Sequence, residues 1–127
     1  MNTTDNDVET SDSPDLYLGL GSMIYAMAKA DGRMQLEEMQ TAKEILANEP
    51  HGSLALYALM LREDYEETVE EAYAFAMRRF VNQRAQLTEP TKKHFVGILQ
   101  RIASAHDDVS QKEHALIQRF RRDLRRL

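Results

Sequence analysis

Ala30-Asp31-Gly32-Arg33-Met34-Gln35-Leu36-Glu37-Glu38 interrupts one long helical pattern, and a degenerate copy stands near the other end: Ala105-His106-Asp107-Asp108-Val109-Ser110-Gln111-Lys112-Glu113. At a constant offset of 75 residues Ala30 falls on Ala105, Met34 on Val109 and Glu38 on Glu113. The match runs outward on both sides. Ile24 pairs with Leu99, Met27 with Ile102, Ala28 with Ala103, Ala42 with Ile117 and Ile45 with Phe120. Two related helix-turn-helix units therefore bracket the middle of the chain.

The chain around them has 127 residues, enough for one domain with a single sizeable core. Its 43% hydrophobic and 29% charged content is ordinary for a globular protein and argues against global disorder. Cysteine is absent, so disulfides and thiolate metal sites are excluded, and any metal falls to carboxylate or imidazole ligands. No apolar run approaches the roughly 18 residues that span a bilayer. No Lys or Arg precedes Lys29, so the basic start of a secretory signal is missing, and a cytoplasmic location is expected. The net charge of −5 is unevenly spread: acidic at the start (Asp5, Asp7, Glu9, Asp12, Asp15) and from Glu63 to Glu71, basic at the end (Arg119, Arg121, Arg122, Arg125, Arg126). A globally acidic chain does not invite nucleic acid.

Residues 1–12 hold one large apolar side chain, Val8, and are expected to form a disordered acidic tail ahead of a helical domain over 13–127. Ser13-Pro14-Asp15 starts a helix, with Ser as the N-cap and Pro at the first helical position. Leu16, Leu20, Met23, Ile24 and Met27 then give an apolar stripe on one face, and Gly32 ends the helix. A second helix runs from about Leu36 to Asn48. Pro50-His51-Gly52 is a loop, and Ser53 caps a short helix from Leu54 to Leu61. A longer helix covers Glu66 to Gln83 with Val69, Tyr73, Ala76, Met77 and Phe80 inward, and Thr88-Glu89-Pro90 opens the next, to Ala105. Gly97 inside that helix suggests close packing. Ser110-Gln111-Lys112-Glu113 is a complete capping box for a final helix burying Leu116, Ile117, Phe120 and Leu124. With no period-two stretch of strand length, the fold is an all-α bundle of about six helices, one of them short.

A helix ending in Ala-Asp-Gly, a short link with one apolar residue, then Glu-Glu opening a second helix, resembles the tellurite-resistance TerB family. The second turn, with its Ala, acidic pair, Val-Ser and Glu, resembles that family's second such turn, and the likeness covers roughly Leu16 to Leu124. It implies a role in tellurite or other chemical stress, often beside membrane-linked complexes, and metal held by acidic residues of the two turns. Carried onto this sequence, the implied ligands are Asp31, Glu38, His106 or Asp107, and Glu113. The second turn departs from the pattern: His106 stands where Asp is expected and Asp107 where Gly is.

The residues themselves leave two readings open. On one unbroken helix Asp31 and Glu38 would lie about 10 Å apart along the axis and could not share an ion. A turn at Gly32 changes that, and two units packed face to face would let three or four side chains converge on a small cation. An imidazole among carboxylates favours zinc or another borderline divalent ion, leaving calcium, manganese and magnesium open. An EF-hand fits poorly, because Gly32 at its sixth position puts Met27 and Lys29 where oxygen ligands belong. On the other reading the turns hold no ion: a capping box explains Glu113, helix termination Gly32, and loop preference Asp31 and Asp107. Gln35 is a weak N-cap, so capping accounts less well for Glu38.

No Gly-rich phosphate loop, nucleophile elbow or His-Glu-x-x-His helix is present, so neither catalysis nor a small-molecule substrate is expected. The alternative function is a structural or protein-interaction bundle whose acidic helix or arginine tail recruits a protein partner or a second copy of the chain. His51, His94 and His114 read as surface residues.

Overall fold

From Leu16 to Ala28 there is no charged side chain, and a helix apolar all round belongs inside a fold rather than on its surface. The computed structural model describes residues 13–105 and 108–127, so the acidic start and the candidate ligands His106 and Asp107 lie outside the described residues. The first helix, α1 (Pro14–Lys29), is the centre of the fold, and every residue from Gly19 to Ala28 is buried. The single stripe expected from its periodicity is therefore corrected to burial on all sides. Two helices of the middle segment, α3 (Gly52–Asp64) and α4 (Val69–Asn82), make the main packing against α1.

The remaining elements close the bundle. Leu36–Leu46 forms α2, which packs on α3 and on α5 (Glu89–Ala103), while α6 (Gln111–Arg125) packs on α5 and touches α1. The second helix of each repeated unit thus meets the first helix of the other, as two related units facing each other must. A 3-10 turn, Arg84–Gln86, links α4 to α5. No strand occurs among the described residues, and the architecture is the expected all-α single bundle. Both members of all five apolar pairs predicted by the offset are buried. Phe80, Phe95 and Phe120 bring α4, α5 and α6 together, with ring centroids 6.1 Å apart for Phe80 and Phe95 and 5.4 Å for Phe80 and Phe120.

Two buried hydroxyls in the middle of α1 are satisfied from the neighbouring segment. Ser22 Oγ donates to the Ala72 carbonyl at 2.8 Å, and the Tyr25 hydroxyl donates to the Glu67 carbonyl at 2.6 Å. On the outer side of α4, Arg119 of α6 reaches Glu70 with two bonds, of 2.8 and 3.0 Å, and lies 3.7 Å over the Tyr73 ring. Part of the acidic run is thereby paired within the chain.

Several local expectations need correction. The helix assigned to Leu54–Leu61 begins at Gly52 and runs to Asp64, with His51 and not Ser53 in the N-cap place, and it is not short. Glu66 does not open α4: it sits at φ 50° in the preceding turn, and Thr68 caps the helix through a capping box with Glu71. Ser13 precedes α1 without a side-chain cap bond. Gly97 is not closely packed, since a β-carbon there would meet nothing within 4 Å. Close approaches occur at other glycines, among them Gly21, where a β-carbon would lie 2.0 Å from the Ala55 carbonyl oxygen, so α1 and α3 cross with their backbones nearly touching.

These two glycines should respond oppositely to one methyl group. Gly97→Ala is expected to raise stability by about 0.5–1 kcal/mol, the helix propensity gain with no clash. Gly21→Ala is expected to lower it by about 1–3 kcal/mol, because backbone and not a flexible side chain must move. Urea unfolding midpoints of the two variants would check both signs.

Candidate functional site

Each turn presents a glutamate at the third position of the helix it opens. Gly32 adopts φ 123°, a conformation that favours glycine, and the chain leaves α1 there and re-enters helix at Leu36. Glu38 then reaches back, its Oε1 accepting from the Gln35 amide at 2.9 Å. Capping thus accounts for Glu38 better than the weak N-cap residue Gln35 implied. In the second turn Glu113 Oε1 accepts from the Ser110 amide at 3.2 Å, and Ser110 Oγ accepts from the Glu113 amide at 3.1 Å. Met34 and Val109 occupy equivalent half-buried places against the core below the turns.

Packing the two units face to face brings these glutamates together. Glu38 is 2% exposed and Glu113 3%, and their carboxyl groups lie within hydrogen-bonding reach of one another. Two carboxylates in a dry place cannot both ionise cheaply. Burial first, then the proton that Glu38 can share with the facing Glu113 carboxylate, pushes the Glu38 pKa up to about 8, against the lowering effect of the Gln35 amide. Asp31 is exposed at the rim, but its charge raises Glu38 further. Of the five candidate ligands, then, Glu38 and Glu113 meet in the interior, Asp31 stands at the surface close by, and His106 and Asp107 lie outside the described residues. Among the described residues no three His, Asp or Glu side chains form a ready metal cage. His114 follows Glu113 but is exposed.

One polar cluster was not anticipated. Glu49, in the link between α2 and α3, accepts from the Tyr17 hydroxyl at 3.1 Å, and both its carboxylate oxygens lie 2.9 Å from His94 Nε2. His94 is at the surface, as read, and also ties α5 to that link. Glu49 stands 45 positions from His94 and 32 from Tyr17, so no local pattern announced the cluster.

The paired carboxyls carry a pH signature. A folded-state pKa above the ordinary carboxyl value means that the folded chain holds a proton the unfolded chain has released. The stabilising contribution is present at acidic pH and is lost as pH rises through about 8. The melting temperature of chelator-treated protein should therefore fall between about pH 6 and about pH 9. Glu38→Gln should flatten that slope; an unchanged slope would assign it to another group.

Residues 18–125 match the family described as Tellurite resistance protein TerB. No curated protein and no solved structure gives a significant match. A family match across nearly the whole chain, containing both turns and both buried glutamates, makes this protein a member of the TerB family.

Proposed function

We propose that this chain is a non-enzymatic TerB module that holds a divalent cation between its two turns and serves in the response to tellurite or other chemical stress. The observation that supports the reading most directly is the meeting of Glu38 and Glu113, two carboxyl groups at most 3% exposed and within hydrogen-bonding reach of each other. Such a pair calls for positive charge, and a proton on Glu38 answers that need only up to about pH 8. A bound divalent cation would supply the charge in the proton's place. Glu38 and Glu113 would hold it, with Asp31 adding negative charge at the rim. His106 and Asp107, in the second turn, are the further donors; an imidazole from His106 would favour zinc over calcium, manganese or magnesium.

The stress role and a membrane-linked complex as partner are what the family suggests; they, a cytoplasmic location and a second copy as the other candidate partner belong to the same proposal. Among the described residues, no helix is long and apolar enough to cross a membrane. A second reading has its own support. Both glutamates already accept backbone amides at helix starts, so the pair can serve as helix-end architecture completed by one proton.

Glutamine separates the two readings, because its amide oxygen still serves a capping box while the charge is gone. Chelator-treated protein should melt at a higher temperature with one of zinc, manganese, calcium or magnesium, since a ligand bound only by the folded state must raise the midpoint. The rise should grow with pH from about 6 to about 8.5 as the competing proton leaves. It should vanish in the Glu38→Gln/Glu113→Gln variant. A rise that survives in that variant overturns the site, and no rise with any of the four ions leaves the capped, proton-sharing pair as the whole of it.

A further inference from the structure

Away from the two turns, α5 and the last turns of α6 enclose an open groove of roughly 440 Å³. Four cations line it, Lys92, Lys93, Arg121 and Arg125, against one carboxylate, Glu89, although the chain as a whole carries −5. Lys93, Arg121 and Arg125 have no ion-pair partner among the described residues. The groove also has apolar surface, to which the half-buried Val96 contributes. Charge and apolar area therefore lie side by side in one concave surface, where a merely solvated face would show charge alone.

Lys92 indicates the chemistry that fits. Its side chain is only 10% exposed, and its ammonium is held 3.0 Å from Glu89, whose own side chain is largely in solvent. A carboxylate at the rim of this groove already satisfies one of its cations. Three more cations stand ready for the same kind of group. Nucleic acid suits the place less well: the lining offers no aromatic ring for a base to stack on, and Glu89 and the net charge of the chain both repel a polyphosphate. A membrane surface would need apolar side chains that protrude, whereas Leu124 is buried at 2% exposure.

We infer that this groove docks an acidic segment of a protein partner, its carboxylates on Lys93, Arg121 and Arg125 and an apolar side chain against Val96. The site is independent of the cation between the turns, so metal-free protein serves for the test. The probe is a fluorescent peptide alternating glutamate pairs with leucine, followed by anisotropy against the full chain at physiological salt.

Lys93→Glu/Arg121→Glu/Arg125→Glu should weaken binding by about tenfold or more, and so should replacing the peptide leucines with serine. Reversal of three exposed cations elsewhere, Lys43→Glu/Arg78→Glu/Arg84→Glu, should cost much less. An unchanged melting temperature in both variants would establish that each is folded. Absence of peptide binding overturns the inference, as does equal loss in the two variants or indifference to the leucines, which would reduce the effect to general charge attraction. Tighter binding to single-stranded DNA or to phosphatidylserine vesicles than to the peptide would overturn it as well, and would name the other class of partner.

Discussion

A helix without a charge from Leu16 to Ala28 has no face to offer water, and enclosing it decides where the other elements go. The main packing comes from α3 and α4, and α5 and α6 complete the wall. Close enclosure needs small side chains at the crossings, and Gly21 under the Ala55 carbonyl is the tightest of these on α1. It also needs every buried polar atom matched, which the Ser22 and Tyr25 hydroxyls achieve by donating to carbonyls at the start of α4 and just before it. The first charged residue after the buried run is Lys29, so the chain turns outward just where the Ala30–Gly32 corner begins.

At that corner, opposed electrostatic effects act on the same carboxyl groups. A helix N-terminus favours negative charge, and each glutamate accepts a backbone amide there. Desolvation and the facing carboxyl act the other way, and for Glu38 they dominate. The amides explain why acids can be kept in a place this dry at all; their closeness to each other explains why both cannot cheaply stay charged in it. An apolar pair would fill the same space but leave the two backbone amides without these partners.

Much of this was legible because two periodicities were superposed. The helical repeat of apolar residues located the elements, and the 75-residue offset located the pairs that share an environment, down to Met34 with Val109 and Glu38 with Glu113. Burial of α1 on every side was also present in the sequence, as a run without charge, but a search for one stripe overlooks it. Gly97 was read as closely packed and has open space, while Gly21, which no pattern singled out, has none, because helical position says nothing about which neighbour crosses there. Glu66 was taken for helix by its charge and proximity to Val69, whereas the chain needed a positive-φ residue to turn from α3 into α4. The pairing of Glu49 with His94 could not be read at all, since it depends on where two distant elements come to rest.

The bond between Glu38 and Glu113 joins positions 75 residues apart in a chain that contains no cysteine. It therefore makes a reversible ring enclosing α3, α4 and α5, with the two repeated units as its clasp. A disulfide closing so long a loop would also restrict the unfolded chain, whereas this fastening exists only in the folded one. Here the fastening depends on a proton, so the ring loosens with alkalinity while the covalent chain stays as it was.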